Sequence, residues 1–254
     1  MVVFRAMRLE RLGWVIASLA FVIATAIAAR TWMSVRLHKD HTIDVTGSAK
    51  RRIVSDFIEW KANITTENRD RTAGYKALHQ HVDAAIAYLK AQKVPDAEVR
   101  VSSASAEEIF DTVYKGKGAD RIEEKVFKFW KTTQSIEVKS KDVANVERVS
   151  REVTQLIENG VPISSESPEY FYSGLGALKI EMLAEAAKDA QTRASRILAA
   201  AGNVGLGKLR RADMGVINVN PANSTEISSE GNNDTSTLEK DILTIVHCSY
   251  DLDR

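Results

Sequence analysis

The chain has 254 residues, 44% hydrophobic and 27% charged, with a formal net charge of +1. That apolar share can build the core of one large domain or two small ones, and the near-neutral balance argues against nucleic acid as a partner. The single cysteine, Cys248, excludes an intrachain disulfide and any CxxC redox or zinc pattern.

The first element is apolar on all sides. Residues 12–29, LGWVIASLAFVIATAIAA, run for 18 positions without a charge. At about 1.5 Å per helical residue they just span a bilayer's hydrocarbon core. Arg5, Arg8 and Arg11 precede the stretch, and Trp14 and Trp32 sit near its ends. Basic residues stay on the cytoplasmic side and indoles favour the two interfaces. Residues 12–32 therefore read as a transmembrane signal anchor, with residues 1–11 as a cytoplasmic basic N-terminus and residues 33–40 as a linker. Ala26-Ile27-Ala28 fits a signal-peptide cleavage site, which leaves a cleaved leader as the alternative. Either way, the domain over residues 41–254 is expected outside the cytoplasm.

In that domain Ile43 and Val45 alternate with polar residues, and so do Ile58, Trp60, Ala62 and Ile64. The pattern predicts two strands joined by a tight turn at Gly47-Ser48-Ala49-Lys50. A helix follows over 68–92, its apolar face made by Leu78, Val82, Ala85, Ile86 and Leu89, with Pro95 beyond its end. A strand then starts at Val99 and runs toward Tyr114. After the turn YKGKGAD it pairs with a long strand over 121–140. On that strand Val126, Lys128, Trp130, Thr132, Gln134, Ile136 and Val138 are expected on one side, with Phe127 and Phe129 on the other.

Val143, Val146, Val149, Val153, Leu156 and Ile157 repeat at three and four and predict a second helix, closed by Asn159-Gly160. Residues 161–173 read as extended. A third, long helix covers 175–201. Ala177, Ala184, Ala187, Ala190 and Ala194, with Ile180, Leu183 and Ile197, are expected to dock it on a sheet. A strand, a polar and mobile loop over 220–237, and a final strand over 238–252 complete the chain. The order β-β-α-β-β-α-β-α-β-β indicates an α+β fold, a mixed or antiparallel sheet with helices packed on one face, preceded by one N-terminal transmembrane helix.

The search for chemistry starts at Gly202, Gly205, Gly207 and Lys208. Phosphate loops place glycines before a helix, where backbone N–H groups and the positive dipole end face the anion. Here the helix comes first, so Gly202 reads as its cap and not as a nucleotide loop. His79 and His81 are two apart on a helix and point apart; His38 and His41 lack ligand spacing; His247 and Cys248 face opposite sides of a strand. Cys248 itself reads as a buried strand thiol. Asn63, Asn223 and Asn233 head glycosylation-like triplets, which matter only in a eukaryotic secretory setting. No catalytic, cofactor-binding or metal-binding residue is assigned, and no cofactor.

Three stretches carry a resemblance: IDVTGSAKRRIVSDFIEWKANI, TTQSIEVKSKDVANVERVSREVTQLIENG and ALKIEMLAEAAKDAQTRASRILAAAGNVGLGKL. Together they resemble the bacterial SIMPL-domain family of periplasmic or surface-anchored proteins, from Thr42 to the C-terminus. Two features depart from that pattern: an anchor-like N-terminus, and Phe129-Trp130 where a tyrosine-containing strand is expected. The resemblance implies an α+β fold, an extracytoplasmic place and self-association into rings or larger assemblies, with links to envelope stress tolerance. It implies no activity. The expectation is a non-catalytic homo-oligomer in the bacterial inner membrane, single-pass, with its N-terminus cytoplasmic and its main domain periplasmic. A binding module acting through the loop 220–237 is the alternative, and an unrecognised hydrolase the third reading.

Overall fold

The computed structural model describes residues 14, 18–33, 41–115, 122–202 and 204–253. The chain divides into two compact units. One holds residues 49–182 and 216–244, and the other holds residues 1–48, 183–215 and 245–254.

The first unit is built on a six-stranded sheet. Its central strands are β2 (Phe57–Asn68) and β5 (Ile122–Ser140), antiparallel from Ile58 opposite Ser140 to Asn68 opposite Trp130. The outer strands are β3 (Val99–Val101) and β4 (Ser105–Lys115) against β5, and β6 (Ile163–Ser165) and β7 (Glu169–Phe171) against β2. Alternate residues of β2 are buried, as the pattern predicts: Ile58, Trp60, Ala62 and Ile64. Helices α2 (Arg71–Ala91) and α3 (Val143–Glu152) cover that face with Leu78, Val82, Ala85, Leu89, Val146 and Val149. Asp70 caps α2 by accepting from the N–H groups of Thr72 and Ala73. Asp142 caps α3 through Asn145 N–H. A tighter helical segment, Val153–Ile157, continues α3, and the chain reverses at Gly160, whose φ is 81°.

Residues 18–33, in the second unit, form a helix, α1, whose residues are all exposed. Strands β1 (Thr42–Val54), β9 (Glu239–Asp253) and β8 (Gly205–Pro221) form a three-stranded sheet in the order β1-β9-β8. Helix α4 (Leu175–Ala201) buries every fourth residue: Leu178, Met182, Ala186, Ala190, Ala194 and Leu198. Small side chains let its backbone come close to β1. A Cβ on Gly47 would lie 2.1 Å from Ala186 O and 2.5 Å from Ala190 N. Ser48 N–H also donates to Asp189 at 2.9 Å. The helix ends at Gly202, with φ 80° and its N–H on Leu198 O at 3.1 Å.

The expected α+β class and antiparallel pairing hold, and several details change. Gly47 is not in a turn. β1 runs unbroken to Val54 and belongs to a different sheet from β2, so the two make no hairpin. The glycine serves the close approach of α4, and the chain turns at Ser55-Asp56. There Ser55 N–H binds Leu238 O, Asp56 N–H binds Phe171 O, and the Asp56 carboxylate accepts from Ser173.

The strand from Val99 is interrupted. Val101 pairs with Ile136 but Ser105 with Thr133, so residues 102–104 carry one residue more than the partner strand. Residues 161–173 likewise form two short strands, separated by Glu166-Ser167-Pro168, where proline cannot donate to the ladder. The order of the domain is thus β-β-α-β-β-β-α-β-β-α-β-β. A second bulge moves Phe127. Ile109 pairs with Phe129 and Phe110 with Phe127, which leaves Lys128 extra, and the Phe127 ring comes within 6.1 Å of Trp130. On α4, Ala177, Ala184, Ile180 and Ile197 are exposed, since the buried stripe steps by four.

Among the described residues no helix is long and apolar enough to cross a membrane. Of the predicted span, residues 12, 13 and 15–17 lie outside the described residues, as do the basic N-terminus 1–11, residues 34–40 of the linker, residues 116–120 of the YKGKGAD turn and residue 121 of the strand expected after it.

Candidate functional site

The polar stretch over 220–237, expected to be mobile, has a defined hydrogen-bonded arrangement. It folds back on its own strand and is fastened by buried amides. Asn218 and Asn220 on β8 are 1% and 3% exposed. Asn218 Oδ1 accepts from the N–H groups of Ser228 and Asn232, each at 3.1 Å. Asn220 donates to Glu226 O at 2.6 Å and accepts from Asn232 Nδ2 at 2.9 Å. Val219 N–H binds Asn232 O, and Asp234 N–H binds Val219 O. A short polar sequence alone would favour a loose loop, but satisfied buried amides fix one arrangement.

Two charged clusters lie at the loop's base. In the first, the Lys240 side chain is 2% exposed, and its ammonium donates to Asp234 O at 2.6 Å and Asp234 Oδ2 at 3.0 Å. Asp234 also accepts from the hydroxyls and N–H groups of Ser236 and Thr237. Burial pushes the Asp234 carboxyl upward, but the bonds from Thr237, Ser236 and Lys240 outweigh it and hold the group well below the usual carboxylate range. Ile53, Tyr170, Tyr172 and Val219 line a small cavity of about 120 Å³ beside this pair.

In the second cluster, the Asp241 side chain is 4% exposed. It takes both ends of the Arg52 guanidinium, at 2.9 and 3.1 Å, Lys50 Nζ at 3.0 Å and Asn223 N–H at 2.8 Å. The Arg52 bonds first, then the Asn223 and Lys50 bonds, keep this carboxyl depressed against the cost of its burial. Arg52 also reaches Asn223 Oδ1 at 2.6 Å, so one residue of β1 binds both β9 and the loop. These carboxylates are saturated anions. Each fastens the loop to its flanking strands, and neither is displaced upward as a general acid at neutral pH would be.

The residues singled out from sequence fall elsewhere. His79 is exposed and His81 lies on α2 beside it, and among the described residues no cluster has the makings of a metal site. His38 lies outside the described residues, and His41 offers its carbonyl to Leu252 N–H at 2.8 Å. His247 is exposed while Cys248 is buried, on opposite faces as expected. His247 Nδ1 lies 2.9 Å from Thr46 Oγ1, in an open groove of about 380 Å³ along the sheet. Burial, with the Cys248 contact, pushes the neighbouring Tyr250 hydroxyl up to about 12. Gly202 caps α4, whereas Gly205 and Gly207 open β8. A Cβ on Gly207 would lie 2.8 Å from Asp251 O, so that glycine admits a neighbouring backbone and no phosphate.

Sequence reasoning missed Asn218, Lys240, Asp241 and Arg52. The available signal was a Lys-Asp pair set directly before the apolar run ILTIV, where an unpartnered charge would be costly.

The family model SIMPL, described as a protein of unknown function, matches residues 43–240. That span begins in β1 and ends on the buried Lys240. No curated protein matches the chain.

Proposed function

We propose the following for a chain that belongs to the SIMPL family. It is a non-catalytic protein of the bacterial cell envelope, held in the inner membrane by its N-terminal apolar segment, with the α+β domain on the periplasmic side and assembled as a homo-oligomer. The observation that carries the anchor is the uncharged run 12–29, part of which is α1, together with its exposed apolar residues. Trp14, Phe21, Ile27 and Trp32 are 79%, 74%, 62% and 72% exposed. A helix apolar on every face, with basic residues before it, is suited to lipid. Assembly and a role in envelope stress tolerance rest on the family resemblance.

Expression of the full chain in a bacterial host tests this. It should stay in the membrane pellet through an alkaline carbonate wash, with its domain cut by protease only after the outer membrane is opened. Release by carbonate sinks the anchor. Light scattering of the detergent-solubilised chain should give a protein mass of several times 28.1 kDa. A protein mass of one chain sinks assembly.

A second reading has its own observation. The loop 220–237 is pre-arranged by Asn218, Asn220 and Lys240, yet presents Ile227 at 60% exposure. A rigid loop with an apolar tip loses little entropy on binding. Ile227→Asp should leave unfolding and assembly unchanged while removing capture of an envelope partner; capture that survives the change sinks this reading.

A further inference from the structure

The hairpin of β4 and β5 carries surface that no described part of the chain covers. β2 stops at Asn68 opposite Trp130, and β3 meets β5 only between Ile136 and Val138. Beyond Trp130, β5 pairs with β4 alone, and among the described strands none pairs with the outer edge of β4. The result is a two-stranded ribbon in which residues 110–115 and 122–128 are all exposed. Such a ribbon is marginal by itself in water. It is also apolar on both faces. Phe110 and Phe127 stack edge to face at 5.9 Å on one side. Val113, Ile122 and Val126 are 41%, 69% and 43% exposed, and Val113 alternates with Phe110 onto the other side.

We propose that this arm is where one copy of the chain joins the next, with the β4 edges of two copies pairing antiparallel about Phe110. The proposal rests on the self-assembly reading above and names its surface. An open strand edge presents unpaired N–H and C=O groups, which a bilayer cannot satisfy and another strand can. Charge is compatible with a copy of this chain. Residues 105–131 contain acidic and basic residues in near balance, so the arm carries no strong field toward lipid headgroups or nucleic acid and none against itself. Lys128–Asp111 at 3.0 Å and Lys115–Glu124 already neutralise charges within it.

The register follows from the same residues. With Phe110 opposite Phe110, Glu108 faces Thr112, Glu107 faces Val113 and Ser105 faces Lys115. A slip of two residues one way sets Glu107 against Asp111 twice; the other way it sets Asp111 against Asp111 while bringing Glu107 opposite Lys115, so pairing about Phe110 is the one of these three registers with no like charges opposed. Pairing about Phe110 is self-complementary, as a two-fold contact requires.

The test uses the full chain in detergent. On the two-fold, the Cα atoms of paired residues stand about 4.5–5.5 Å apart, within disulfide reach. The only native cysteine is buried. Phe110→Cys should therefore give a disulfide-linked dimer under mild oxidation, while His79→Cys, exposed on α2, should not. Phe110→Lys sets two ammonium groups face to face and should lower the assembled mass at least two-fold, with an unchanged circular dichroism spectrum. If Phe110→Lys unfolds the chain, the Phe110→Cys cross-link decides. An oligomeric wild type whose mass is untouched by Phe110→Lys, or whose Phe110→Cys form does not cross-link, overturns the arm and spares self-assembly. A wild type of single-chain mass overturns both.

Discussion

The two halves of β5 have similar side chains and opposite surroundings. From Trp130 to Val138 the strand has neighbours on both edges, and Thr132, Gln134, Ile136, Val138 and Ser140 are buried beneath α2 and α3. From Ile122 to Phe129 it pairs, among the described strands, with β4 alone, and residues 122–128 are exposed on both faces. The outer half is if anything the more apolar, with Ile122, Val126, Phe127 and Phe129 in eight residues. Alternation assigns faces, whereas burial depends on what the rest of the chain brings to those faces. A hydrophobic strand is thus core only where helices reach it.

The largest expected effect tests that contrast directly. Ile136 is 1% exposed and Phe127 38%. Ile136→Ala should cost about 4 kcal/mol, since it removes a buried branched side chain and leaves a cavity. Phe127→Ala removes a larger group yet should cost only about 1–2 kcal/mol in a chain kept unassembled, because over a third of its surface is already wet in the folded state and no closed core surrounds the rest. Denaturant titration of both variants decides. Equal losses would mean that the arm is part of the cooperative core.

The second prediction asks whether polar burial can matter as much as apolar burial. Lys240 and Asp234 are 2% and 10% exposed. Lys240→Met should cost about 3 kcal/mol, because it strands the carboxylate in a place it entered only with its partner. Lys240→Met together with Asp234→Asn should cost less than Lys240→Met alone, since the charge left behind is then removed too. Additive losses would show that the two residues do not act as a pair.

Local signals in the sequence carry α2, α3, the alternation of β2, the Gly202 cap and the burial of Cys248. Each is fixed by residues within a turn or two of one another: the Asp70 cap, the three-and-four spacing of Val143 to Val153, the reversed order of helix and glycine. What is not legible depends on partners far away in the chain. Gly47 resembles a turn residue because its reason, the backbone of Ala186, lies well over a hundred residues on. Phe127 changes face because of a bulge at Lys128 that only pairing with β4 reveals. The loop 220–237 has the composition of a mobile segment, and its order comes from Asn218, Asn220 and Lys240 flanking it. The fold class is therefore readable, and the fastened loop is not.

The third prediction concerns acid. Asp234 and Asp241 have folded-state pKa values held below their unfolded value of about 3.9. A depressed folded pKa means the unfolded chain takes up the proton first. The stability these groups contribute is present above about pH 4 and is lost as pH falls further toward their folded values. Unfolding midpoints measured from about pH 6 to about pH 2 should fall steeply below about pH 4, and Asp241→Asn should flatten that fall while lowering the midpoint at the upper end of the range. An unchanged slope would show that Asp241 titrates alike in both states.

The smallest effect separates two reasons for a glycine. Gly202 has φ 80° and no neighbouring atom within 4 Å of the place a Cβ would take, so only its backbone conformation argues for glycine. Gly202→Ala should cost about 1 kcal/mol, the usual penalty for a Cβ in the left-handed region. Gly202→Asn should cost less, because asparagine tolerates that region at a helix end. Gly47 is the reverse case: its φ lies outside the left-handed range, and the obstacle is the Ala186 carbonyl 2.1 Å from where a Cβ would stand. Asparagine therefore recovers nothing there. Thermal unfolding of Gly202→Ala, Gly202→Asn, Gly47→Ala and Gly47→Asn should rank alanine below asparagine at position 202 and asparagine below alanine at position 47. The same order at both positions would mean that one mechanism, not two, governs these glycines.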